Sequence, residues 1–201
     1  FLRVNGTPLP IWENVDLDKE VSTVRGLGSG ILFQSSHLLN QQTSNGLNDN
    51  QARFVAVYVS RACTLSGVGF ISRTAGNYVA DQTNQVALFT ESGGTLTKVA
   101  ESANNGNLWK GTANTYIQED FTSPYNAAPG VYFVGLLYNS SSQTTQPAVG
   151  IIAVGSTGQI QTNLANSNKL HSLLSAVNSF GASYAASGNS ASASCIWVSL
   201  Y

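Results

Sequence analysis

Val86-Ala87-Leu88-Phe89-Thr90-Glu91-Ser92-Gly93-Gly94-Thr95-Leu96 is the stretch that decides the fold class. Gln85 to Thr90 is a short apolar run of the kind a buried strand carries. Glu91-Ser92-Gly93-Gly94 is a turn, and Thr95 to Glu101 returns with Leu96, Lys98 and Val99. Strand, glycine turn and returning strand together predict a β-hairpin.

Working outward, the same grammar repeats. Arg53 to Val59 is rich in β-branched and aromatic residues. Thr64 to Arg73 carries Leu65, Val68, Phe70 and Ile71, interrupted by Gly67 and Gly69. Thr115 to Phe121 sets Tyr116, Gln118 and Asp120 against Thr115, Ile117, Glu119 and Phe121, which puts the two sets on opposite faces of a strand. Ala128-Pro129-Gly130 is a turn before Val131 to Tyr138, the most apolar run. Val149 to Val154 and Ala193 to Tyr201 complete the set. Short strands separated by turns predict an all-β antiparallel sandwich.

Two segments depart from this pattern. Residues 1–25 hold seven of the 19 charged side chains, together with Pro8 and Pro10, and their apolar residues show no sustained period. They read as an extended N-terminal arm that is ordered by docking, with Leu9, Ile11 and Trp12 as anchoring residues. Gly26-Leu27-Gly28-Ser29-Gly30 follows as a hinge and matches no phosphate-binding motif. The expected division is therefore an arm and hinge over 1–30 and a sandwich over 31–201. Between Asn163 and Phe180, the residues Leu164, Leu170, Leu173, Leu174 and Val177 approach helical spacing, so a short helix or a long loop fits there. Ala182 to Ser190, mostly small and polar, reads as a loop.

The 201 residues are 42 % hydrophobic and carry a net charge of −1, which suits a globular body without electrostatic attraction to nucleic acid or acidic membranes. No run of about 20 apolar residues is present to span a bilayer. From Phe121 to Tyr201 only Lys169 is charged, and Ser, Thr, Asn, Gln and Gly supply the polarity. Such chemistry points away from acid–base catalysis and towards a rigid surface or assembly module. Interface cores are poor in charge and rich in aromatics, so the same stretch predicts a homo-oligomer, a trimer, built through the C-terminal half. Cys63 and Cys195 read either as two buried thiols or as a bridge closing a long loop.

Three phrases carry a resemblance: Ala62-Cys63-Thr64-Leu65-Ser66-Gly67-Val68, the opening hairpin, and Ala128-Pro129-Gly130-Val131-Tyr132-Phe133-Val134. They resemble jelly-roll domains of bacteriophage fibre and virion-surface proteins, and the same rhythm occurs in carbohydrate-binding β-sandwiches. The resemblance covers residues 52–152 and the last strand. It implies an antiparallel jelly roll, a virion-surface location, a larger virion assembly as partner and a host-surface glycan as ligand. The alternative it leaves open is a secreted sugar-binding module. It transfers no binding residue.

No residue pattern calls for a cofactor or metal. Asp16 and Asp18 lack the spacing of a calcium loop, and His37 and His171 have no legible nucleophile–base partner. Glu119 and Asp120 are adjacent, hence on opposite faces of a strand, and do not form a glycosidase pair. The expectation is a non-enzymatic protein. The candidate ligand-binding residues are Trp109, Asn105, Asn107 and Tyr78. Trp109 lies in Asn104-Asn105-Gly106-Asn107-Leu108-Trp109-Lys110-Gly111, where it either stacks on a sugar ring beside amide side chains or caps an open end of the core. Asn5-Gly6-Thr7 and Asn139-Ser140-Ser141 match the glycosylation acceptor pattern.

Overall fold

A computed structural model describes residues 3–4, 7–8, 32–35, 43–153, 171–191 and 194–201. In chain order its strands are β1 (Arg3–Val4), β2 (Thr7–Pro8), β3 (Phe33–Gln34), β4 (Thr43–Gly46), β5 (Gln51–Val59), β6 (Cys63–Thr74), β7 (Asn77–Tyr78), β8 (Gln85–Ser92) and β9 (Thr95–Glu101). They continue as β10 (Thr115–Ala127), β11 (Gly130–Tyr138), β12 (Gln143–Thr145), β13 (Ala148–Ala153), β14 (His171–Ser175), β15 (Ser183–Ala185), β16 (Ser190–Ala191), β17 (Ser194–Ile196) and β18 (Val198–Leu200). Among the described residues strand makes up 63 % and helical turn 4 %, so the class is all-β.

Two seven-stranded antiparallel sheets form the body. The first contains β4, β13, β6 and β10 in that spatial order. The second contains β5, β11, β8 and β9. The chain places β4 in the first sheet, β5 in the second, β6 in the first, β8 and β9 in the second, β10 in the first, β11 in the second and β13 in the first. This alternation is the eight-strand, double-Greek-key order of a jelly roll. The turn between β8 and β9 is the two-residue Gly93-Gly94, with φ of 58° and 83°. Positive φ at both central residues is the type I′ geometry that matches strand twist, and glycine adopts it without a Cβ penalty. A bridge between Ser102 and Phe121 joins the end of β9 to β10, so the sheets meet along that side and the sandwich curls into a half-barrel.

The last strand enters where β13 and β6 diverge. Its first half, β17, pairs with β13, and its second half, β18, pairs with β6. Trp197 sits at the fork. Its backbone N–H donates to the Gly150 carbonyl at 3.0 Å and its side chain is fully buried.

The core has two compartments. Between the sheets lie Val55, Val57, Val68, Phe70, Val86, Leu88, Val134, Leu136, Ile196 and Val198. On the outer face of the second sheet, Ala52, Phe54, Ala87, Phe89, Phe133 and Leu137 are buried by Val177, Phe180 and Ala186. The cover is residues 171–191. This strap pairs with β5 through β14, crosses to β9 through β15, and returns to β14 through β16. A sheet buried on both faces needs continuous apolar strands, which is why Val86–Phe89 and Tyr132–Leu137 do not alternate. Gly135 leaves a notch on that outer face. A Cβ there would lie 2.9 Å from the rings of both Phe180 and Phe89.

The structure corrects two expectations. Where helical spacing covers described residues, 171–175 form a strand, because edge pairing with β5 satisfies the backbone while Ser172 is buried and Leu173 and Leu174 are half-buried. The stretch read as a loop over 182–190 carries β15, a 3-10 turn at Ala186–Gly188 and the start of β16. Strand β4 had no sequence signal, since Thr-Ser-Asn-Gly is polar and weakly β-forming. The anchoring residues Leu9, Ile11 and Trp12 lie outside the described residues, as do the glycine hinge and residues 154–170.

Candidate functional site

Two of the four predicted ligand residues are packing residues. Trp109 lies on a 3-10 turn, Leu108–Lys110, and is 3 % exposed. Its ring packs on Phe70 at 4.8 Å between centroids, and its Nε1–H donates to the Leu137 carbonyl at 3.0 Å. The Trp109 backbone N–H donates to the Tyr78 hydroxyl at 3.2 Å. Tyr78 is itself buried against Tyr138, and burial pushes its phenol up to about 12. Trp109 therefore caps one end of the sandwich, and neither ring offers a free face to a sugar. Asn107 is exposed, while Asn105 is half-buried and its Nδ2 donates to Glu119 at 3.1 Å.

The outer face of the first sheet is built differently. In the β10–β6 register Tyr116 stands opposite Ile71, Gln118 opposite Gly69 and Asp120 opposite Gly67. On the other side of β6, Ser199 of β18 pairs with Gly69. Gly67 and Gly69 are two apart, so both open the same face of β6. A Cβ at Gly67 would collide with the Tyr201 hydroxyl, and one at Gly69 with the Tyr116 hydroxyl. The two phenols thus lie across a side-chain-free floor, from opposite sides. Tyr201 donates to Asp120 Oδ1 at 2.8 Å, and the Tyr116 and Ser199 hydroxyls lie 3.1 Å apart. Tyr116 also packs edge-on against Trp197, whose Nε1–H donates to Gln34 Oε1 at 3.3 Å. Burial and the Asp120 carboxylate raise the Tyr201 phenol well above its usual range. Gln118 and Asp120 are exposed, and Tyr116 and Tyr201 are half-buried. The face combines aromatic surface, hydroxyls, an amide and one carboxylate.

Sequence reasoning separated Tyr116, Gln118 and Asp120 onto one face but did not single them out as a site. The available signal was the Gly67–Gly69 spacing, because glycine inside a strand often marks close approach of another group. Glu119 points away from Asp120, towards Asn105, and desolvation raises its carboxyl.

The inner edge of the second sheet holds a guanidinium and an imidazole. Arg53 is 6 % exposed, donates from Nη2 to the Gly46 carbonyl at 2.8 Å, and has a buried Nε without a hydrogen bond. His171 likewise has a buried Nδ1 without a partner, and burial pushes its pKa down to about 4.

The remaining sites are readily placed. Asn139, of the glycosylation-like triplet, is buried, and its Nδ2 donates to the carbonyls of Thr83 and Asn178, so the folded protein does not present it. Cys63 is half-buried and Cys195 buried, and no disulfide joins them. Among the described residues no group of three or more His, Cys, Asp or Glu side chains gathers into a metal site, and no helix is long and apolar enough to cross a membrane. His37 lies outside the described residues. No family model and no curated protein matches this chain.

Proposed function

We propose that this chain is a non-enzymatic virion-surface protein, a fibre, spike or decoration component that assembles as a homotrimer, joins a larger assembly through residues 1–30 and contacts the host surface. The observation that supports this reading is the unequal treatment of the two sheets. The strap seals most of the second sheet, whereas the first presents Tyr116, Gln118, Asp120 and Tyr201 on a glycine floor. The jelly roll is a framework that capsid proteins and lectins both use, so the fold alone does not choose between them. A face with one carboxylate and mostly neutral polar and aromatic groups associates without needing ion pairs.

A second reading, a secreted carbohydrate-binding module, rests on that same face. Half-exposed tyrosines beside a carboxylate and an amide have the chemistry that stacks on sugar rings and bonds their hydroxyls.

Sedimentation velocity at micromolar concentration tests the leading reading. The expected species has three times the 21.2 kDa mass of the chain and persists at about 1 M salt. Gln118→Arg, on an exposed side chain of the outer face, is expected to return it to a single chain. A wild-type protein that sediments as one 21.2 kDa chain contradicts the trimer.

A further inference from the structure

We propose that residues 171–191 are an acid-released strap, in which protonation of His171 frees β14 from the edge of β5 and uncovers the aromatic outer face of the second sheet. The attachment is narrow. β14 holds β5 over five residues, β15 holds β9 over three, and β16 holds β14 over two, against nine paired positions between β5 and β11. Short peripheral ladders open at lower free energy than the strands they cover. The chain leaves β14 through Ala176, whose φ of 60° lies in the left-handed region that alanine disfavours. That strain sits where the strap turns onto the sheet.

His171 is the first residue of the attachment and pairs with Val55. Arg53 pairs with Leu173, so Arg53 and His171 are diagonal neighbours on the inner face, with Cβ atoms roughly 7–8 Å apart or less by ordinary sheet geometry. Among the described elements near this edge, β5 contributes the Arg53 guanidinium and β16 contributes no titratable group, while Cys195 of β17 alternates with the inward-facing Ile196 and lies on the other face of its strand. An imidazolium here would face a second cation and no described carboxylate. Its Nδ1 is already buried without a partner. Burial accordingly pushes the imidazole down to about 4 from 6.5.

The open strap returns His171 to water and to its ordinary pKa, so protons bind the open form more tightly and drive opening as pH falls. For a pKa of about 4 closed and 6.5 open, the opening equilibrium rises roughly 20-fold between pH 7 and pH 5. Opening exposes Phe54, Phe89, Phe133 and Leu137 together. The jelly roll itself keeps its inter-sheet core, because none of these residues belongs to that cluster.

Hydrogen exchange with mass spectrometry, expressed as protection factors, tests the switch on the full chain at pH 7 and pH 5. The expected result is a roughly 20-fold loss of protection over 171–191 at pH 5, with β6 and β8 unchanged, and no such loss in His171→Gln. Constant protection of 171–191 in the wild type overturns the proposal, as does an equal loss in the variant. Should His171→Gln fail to fold, an NMR titration of the wild-type imidazole decides: titration near 4 supports the switch, and titration near 6.5 overturns it.

Discussion

At Gly135 the absence of a side chain is what the packing uses. Phe180 fills the space above it and meets Phe89 at 5.5 Å and Phe54 at 6.3 Å between ring centroids. Gly135→Ala forces the strap ring out of its place and is expected to cost about 1–3 kcal/mol in urea unfolding. Gly130→Ala is the control. Nothing lies within 4 Å of a Cβ there, so its effect should stay within about 0.5 kcal/mol. Trp109→Phe leaves the buried Leu137 carbonyl without its indole donor and is expected to cost about 1–3 kcal/mol. Glycines 67, 69 and 135 are visible in the sequence, but the rings they admit are distant along the chain: Tyr201 for Gly67 and Phe180 for Gly135. Sequence pattern shows a gap in a strand and not what fills it. Trp109 was equally ambiguous, because loop composition places the backbone and leaves the direction of the ring open.

At the scale of elements, the strands of the jelly roll other than the polar β4 were legible as runs with β-branched or aromatic residues bounded by turns. The strap was not. Leu170, Leu173, Leu174 and Val177 suit a helix by spacing, yet Leu173 and Leu174 flank a strand edge, and only the tertiary partner β5 selects that outcome. The unbroken apolar runs in β8 and β11 were the one hint that something covers the second sheet. Two expectations follow for the strap. Because the folded pKa of His171 is depressed below its unfolded value, its contribution is fully present above about pH 6.5 and is lost as pH falls towards 4. The loss amounts to roughly 3 kcal/mol at the acid end, measurable as a falling urea midpoint that His171→Gln flattens. Ala176→Gly relieves the left-handed strain and is expected to be neutral or stabilising by up to about 1 kcal/mol, whereas Ala52→Gly within β5 is expected to destabilise by a similar amount.

Across the whole molecule, the charge-poor C-terminal stretch has an internal explanation. Tyr132 and Tyr138 line the inter-sheet core, Phe133 and Phe180 line the strap core, and Trp197 closes the fork of the first sheet. Two apolar compartments in a chain of this size consume aromatics that a single sandwich would have left over. Tyr201 and Tyr116 remain half-buried on the first sheet, while Tyr58 and Val131, 63 % and 50 % exposed, mark the end of the second sheet that the strap does not reach. The second sheet is closed by its own chain, and we propose that the first is the face that meets a partner. Hydroxyl-radical footprinting across a concentration series reads both halves of that claim from side chains. The account predicts that Phe54, Phe89 and Phe133 stay unmodified throughout at neutral pH, that Tyr58 reacts throughout, and that Tyr116 and Tyr201 react in dilute protein and become protected as the chain assembles. Modification of Phe54, Phe89 and Phe133 at the level of Tyr58, or protection that falls on Tyr58 and spares Tyr116 and Tyr201, would contradict it.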